Sequence, residues 1–162
     1  MTDCMIILGI DPGIADTGYG LIDKDTKSKV TCLAYGSIKT DSKLDLATRL
    51  EILQIELNKI IKKYKPQTAG IEELFFSKNV KTALTVGHAR GVALLTLKQN
   101  KINFLEFKPS QVKQAVAAYG GADKAQVQKM VKLLLNLKEI PKPDDAADAL
   151  AIAICASAWR SF

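Results

Sequence analysis

Apolar positions along the chain fall first into runs and later into a three-and-four rhythm. Met5-Ile6-Ile7-Leu8-Gly9-Ile10 is an unbroken apolar run that stops at Asp11-Pro12-Gly13. A run of that length against a turn signal predicts a buried strand. Residues 18–23 predict its hairpin partner, and residues 30–38 a third strand beyond the polar turn 24–29. From residue 45 to 64 the period changes. Leu46, Leu50, Leu53, Leu57, Ile60, Ile61 and Tyr64 recur at three- and four-residue steps, while Arg49, Glu51, Glu56, Lys59, Lys62 and Lys63 take the other face. This is an amphipathic helix, and Pro66 stops it.

Thr68-Ala69-Gly70-Ile71-Glu72 predicts a short strand running into Phe75-Phe76. Residues 79–97 predict a second helix, whose small residues Ala83, Gly87 and Gly91 would let another backbone approach closely. Residues 103–107 form a last strand. Ser110 and Asp123 are expected as N-caps of helices over 111–118 and 124–137. A final helix runs from 144 to 159. Three antiparallel strands followed by helix, strand, helix, strand and further helices give an α/β fold with a mixed five-stranded sheet. The same order is expected of an RNase H-like fold, with helices on both faces.

No repeat, low-complexity tract or linker interrupts the 162 residues, so one domain over 1–162 is expected. No apolar run approaches the roughly 20 residues that span a bilayer. The three cysteines, Cys4, Cys32 and Cys155, have no CxxC spacing, which argues against a zinc site or a disulfide framework and for a reduced cytoplasmic setting. Lys and Arg number 23 against 17 Asp and Glu, a net charge of +6. That excess is compatible with a polyanionic partner, although a basic solvated surface would account for it equally well.

Acidic residues that interrupt apolar segments carry more information. Asp11 and Glu72 each end an apolar strand, a position where a lone carboxylate usually caps a turn. The last helix changes the balance. In Asp144-Asp145-Ala146-Ala147-Asp148-Ala149-Leu150-Ala151, Asp145 and Asp148 lie three apart and share a helix face, as Asp144 and Asp148 would at four apart. Capping explains Asp144 or Asp145. It does not explain Asp148, which sits deeper among alanines, where an unpartnered carboxylate is costly. A divalent cation removes both the repulsion and the burial cost. Oxygen ligands without a Cys or His cluster select hard ions, Mg2+ or Mn2+. Two such ions can clamp the attacking and leaving oxygens of a phosphodiester, leaving a 5′-phosphate and a 3′-hydroxyl.

The blocks Ile10-Asp11-Pro12-Gly13, Thr17-Gly18-Tyr19-Gly20, Ile71-Glu72 with Phe75 and Lys78-Asn79, Ala89-Arg90-Gly91, Gln111-Val112-Lys113-Gln114 and Asp145-Ala146-Ala147-Asp148-Ala149-Leu150-Ala151 together resemble the RuvC family of Holliday junction resolvases. The similarity runs through nearly the whole chain in one order. It implies an Mg2+-dependent endodeoxyribonuclease with two ions per site held by Asp11, Glu72, Asp145 and Asp148, with Mn2+ as a substitute and Asp144 as a bystander. It also implies a homodimer that nicks four-way junction DNA symmetrically in recombination and repair, alongside the RuvA and RuvB branch-migration proteins. Ile14-Ala15 departs from the polar or basic pair of many relatives.

The resemblance makes Lys113 and Lys124 phosphate contacts, which give affinity and register without reading sequence. It places Phe75 at the junction, leaving Phe76 to packing. Lys78 and Lys81, near Glu72, are further candidates for DNA contact. His88, the one histidine, reads as a helix-face residue. Three other functions compete: an RNase H-like nuclease for hybrids or flaps, half of an actin-like phosphotransferase, and a catalytically silent junction-binding protein.

Overall fold

The computed structural model describes residues 4–74 and 79–159. Strands β1 (Met5–Asp11), β2 (Asp16–Lys24) and β3 (Val30–Lys39) form an antiparallel meander. Beyond β1 the sheet continues in parallel with β4 (Thr68–Glu72) and β5 (Asn103–Phe107), giving the order β3-β2-β1-β4-β5. Parallel neighbours need long crossovers. Helix α1 (Leu46–Tyr64) lies between β3 and β4 in sequence, and α2 (Val80–Gln99) between β4 and β5. Helices α3 (Pro109–Ala117), α4 (Lys124–Leu134) and α5 (Asp144–Ala158) follow.

Strand alternation sorts the apolar residues into two cores. Leu8 and Ile10 of β1, Leu21 of β2 and Ala69 and Ile71 of β4 pack with Leu53, Leu57 and Ile61 of α1 and with Ala89, Ala93 and Leu97 of α2. Ile7, Ile22 and Phe107 turn the other way and meet Val112, Val116, Val127, Val131 and the apolar residues of α5. Helices therefore cover both faces, the RNase H-like arrangement expected from the sequence. Counting by two along each strand puts Asp11 on the face of Ile7 and Gly9, and Glu72 on that of Gly70. Both carboxylates thus project to the side occupied by α5.

Helix α5 lies close against that sheet face. A Cβ at Gly9 would run into the Ala149 carbonyl oxygen and the Ala153 nitrogen, and one at Gly18 into the Asp145 carbonyl. The helix meets this need with its own thin side chains, Ala146, Ala147, Ala149, Ala151, Ala153 and Ala156, all buried. Glycines in the strands and alanines in the helix thus bring the aspartates of α5 down to the strand ends.

Several boundaries differ from expectation. β1 extends through Asp11, which pairs with Gly18, because β2 begins early enough to partner it. Ser110 is not an N-cap: the cap position of α3 is Lys108, with Pro109 at the first helical position. Proline's fixed φ and missing N–H suit that place, and the Gln111 side chain accepts from the Lys108 N–H at 2.8 Å. Asp123 does cap α4, accepting from Gln126 N–H at 2.8 Å. That helix stops at Leu134 rather than 137, since Asn136 takes a left-handed φ of 51° and Leu137 N–H bonds back to the Lys132 carbonyl. α5 ends at Ala158, and neither Asp144 nor Asp145 caps it, the cap position being Pro143. The close approach expected along Ala83, Gly87 and Gly91 is absent among the described residues: a Cβ at Gly91 would meet nothing within 4 Å.

Candidate active site

Ile10 and Ile71 are the last residues paired between β1 and β4. The next residue of each strand, Asp11 and Glu72, points to the α5 face at the same end of the sheet. From above, α5 presents Asp145 and Asp148 from its first two turns. Asp11, Asp145 and Asp148 each offer a carboxylate oxygen, and the three lie within 4.8 Å of one another. The Glu72 carboxylate is outside that trio. It shares with Asp11 and Asp148 a cleft of about 210 Å³, which Lys113 and Lys124 also line. Four acidic groups from three separate stretches of chain are thus gathered at one end of the sheet.

Their protonation shows what this arrangement costs. Burial, reinforced by the charges of Asp148, Glu72 and Asp145, pushes the Asp11 carboxyl up to about 8. Glu72 is also raised, by burial and then by Asp148, with Lys113 pulling the other way. Burial raises Asp148 against the opposing effect of Lys124, and raises Asp145 with help from Asp16 and Asp144. Raised carboxyl pKa values of this kind mark negative charge held together with too little countercharge. A divalent cation bound among them would supply it.

Lys124 supplies part of that charge. Its ammonium lies 3.4 Å from Asp148 and 3.5 Å from Asp144. Burial alone would lower its pKa, but the two aspartates outweigh it and the group is raised. Asp144 itself is exposed, pairs with Lys124 and Lys142, and lies outside the trio, so of the two spacings open in the sequence it is Asp145–Asp148 that faces Asp11. Lys81 is exposed in the first turn of α2 and does not line the cleft. His88 is exposed on the same helix. Phe75, Phe76 and Lys78 lie outside the described residues.

Two residues near the site had no role in the sequence reading. Asp16 raises Asp145, and its Oδ1 is buried with no hydrogen-bond partner among the described residues. Arg90 donates through Nε to the Glu72 carbonyl at 2.9 Å. A signal for Arg90 exists in the sequence: it lies seven residues from both Ala83 and Leu97, and so shares the phase of two buried residues.

The family model of crossover junction endodeoxyribonuclease RuvC matches residues 7–156. A RuvC from Halothermothrix orenii is 58% identical over 151 residues, covering 93% of this chain and 91% of that protein. Another from Caldicellulosiruptor saccharolyticus is 57% identical over the same shares. Among solved structures, T. thermophilus RuvC in complex with a Holliday junction substrate superimposes with a TM-score of 0.88 at 34% identity, covering 93% of this chain and 92% of that one. The yeast mitochondrial Holliday junction resolvase Ydc2, 20% identical with a TM-score of 0.63, shares the fold.

Proposed function

The chain belongs to the RuvC family of crossover junction endodeoxyribonucleases, and on that premise we propose that it resolves Holliday junctions by paired, metal-dependent nicks. The observation that carries the reading is the convergence of Asp11, Asp145 and Asp148 within 4.8 Å, with Glu72 lining the same cleft as Asp11 and Asp148. The donors are all carboxylate oxygens, a set that suits Mg2+, with Mn2+ as a substitute. Asp11, Glu72, Asp145 and Asp148 would hold two such ions. When bound, these supply Lewis-acid stabilisation of the attacking and leaving oxygens of an in-line displacement at phosphorus.

The chain's own groups do the rest. Lys113 and Lys124, on the cleft wall, bind the phosphates flanking the scissile bond. Lys124 can serve there once a cation has taken over the neutralisation of Asp148. Val112, Val127 and Ile152 close the cleft with apolar surface and limit its water. By the family resemblance, Lys81, Phe75 and Lys78 are further proposed DNA contacts. The products carry a 5′-phosphate and a 3′-hydroxyl.

Symmetric nicking needs two sites, and the homodimer we propose would bring them together through α2. Val80, Leu84, Gly87, His88, Gly91 and Leu95 fall on one side of that helix by their spacing. Leu84 is 60% exposed and Leu95 53%, with the bare backbone of Gly91 between them. A second copy of the same face would cover this row. RuvA and RuvB are the further partners, and the cytoplasm the expected compartment.

One experiment tests the whole reading. In Mg2+ the protein should convert a four-way junction into two nicked duplexes while sparing RNA–DNA hybrids, flaps and linear duplex, and a chelator should silence it. Leu84→Glu should sediment as a monomer and lose paired incision. Preferential cutting of hybrids or flaps would transfer the site to another RNase H-like activity.

A further inference from the structure

Arg90 stands on α2, across the sheet from the carboxylates, with its side chain only 16% exposed. Its Nε donates to the backbone carbonyl of Glu72 at 2.9 Å, and its Nη2 is paired with the carboxylate of Glu106 on β5. The sheet register explains why a clamp is useful there. Pairing between β1 and β4 ends at Ile10–Ile71, one residue short of Glu72, whereas pairing between β4 and β5 continues to Glu72–Phe107. The Glu72 peptide is therefore held by a neighbouring strand on one side only. On the β5 side, the next N–H, that of Glu73, donates to the Phe107 carbonyl at 2.8 Å. At the carbonyl of Glu72 itself, the guanidinium takes the place of a strand partner.

We infer that Arg90 is a positioning residue for Glu72, tying the end of β4 to β5 so that the Glu72 carboxylate is held over the cleft. Peptide groups are planar, so fixing the carbonyl of Glu72 restricts the backbone angles that aim its side chain. That side chain leaves the strand on the opposite face from Arg90, so the guanidinium neither lines the cleft nor meets the substrate's reacting atoms. Arginine is suited to the task because its planar fork donates from two nitrogens in fixed directions, one to the carbonyl and one to Glu106. A lysine keeps the charge and reaches only one of them. The inference rests on the reading of Glu72 as a metal ligand.

The test is calorimetric Mn2+ binding to the full chain without DNA, paired with kcat and KM for junction cleavage. Partners that orient a metal ligand from behind typically affect affinity or activity by about 10–100-fold. Arg90→Lys and Arg90→Gln should both weaken Mn2+ binding by about that factor, lower kcat at limiting metal and leave KM for the junction unchanged. In a Glu72→Gln background, Arg90→Lys should add no further loss, since the two act through one carboxylate. Arg90 variants that melt earlier yet bind Mn2+ and turn over like the wild type would reduce Arg90 to structural glue between α2 and the sheet. So would a full additional loss in the Glu72→Gln background. Absence of Mn2+ binding by the wild type would instead defeat the metal-site reading itself.

Discussion

Asp148→Asn is expected to bind a four-way junction at least as tightly as the wild type and to cut it on the order of 10³-fold more slowly in Mg2+. The side chain keeps its shape, so α5 should stay in its glycine-lined bed, and Lys113 and Lys124, the proposed phosphate contacts, remain. What disappears is one of three carboxylates that lie within 4.8 Å of one another, together with the partner that holds the Lys124 ammonium at 3.4 Å. Losing a negative charge beside the phosphates does not weaken DNA binding, and freeing Lys124 favours it. Binding is measured in Ca2+ or chelator and cleavage in Mg2+, so the two effects separate. Wild-type cleavage by this variant would remove Asp148 from the site.

Asp11→Asn should also abolish cleavage, and it should raise the stability of the metal-free protein at alkaline pH. Burial first, then the charges of Asp148, Glu72 and Asp145, push the folded-state pKa of Asp11 to about 8 from an ordinary value of 3.8. The sign follows from linkage. A carboxyl whose folded pKa is raised binds its proton more tightly in the native state. The stability it contributes is fully present below about pH 4 and is lost as pH climbs through about 8. Glu72, Asp145 and Asp148 are shifted in the same direction and add to the slope. In chelator, wild-type protein should therefore melt lower at pH 8.5 than at pH 6, and Asp11→Asn should flatten that difference. Each kcal/mol recovered moves Tm by about 2–4 °C for a chain of this size. Added Mg2+ should raise the wild-type Tm at pH 8.5 by binding the native state, and should do little for the variant. A variant that melts below the wild type in chelator at pH 8.5 would contradict this reading of the site.

Much of the fold was legible because period and burial agree. The apolar run of β1 that stops at a turn signal and the three-and-four spacing in α1 are each clear in the sequence, and the sheet follows from the order of the elements. Helix ends were less legible. Ser110 is a good cap by residue type, yet Pro109 before it is an even better first helical residue and shifted the start of α3. The glycines of α2 looked like a close-packing row, whereas the close approach lies at Gly9 and Gly18 in the strands. Spacing alone cannot say which of two small-residue rows meets a backbone. In the site, Asp148 was legible as a carboxylate too deep in a helix to be a cap. Asp11 and Glu72 were ambiguous singly, because only the parallel pairing of β1 with β4 makes them neighbours. The role of Arg90 toward Glu72 was missed because that contact is made to a backbone carbonyl, which no side-chain motif encodes.

The most direct measurement is the anomalous scattering of Mn2+ soaked into crystals of the protein. Manganese is expected between α5 and the ends of β1 and β4, coordinated by Asp11 with Asp145 or Asp148, and by Glu72 at a second ion. Manganese bound only elsewhere, or a cleft that stays empty at saturating Mn2+, would show that these acidic side chains meet for some reason other than holding a cation.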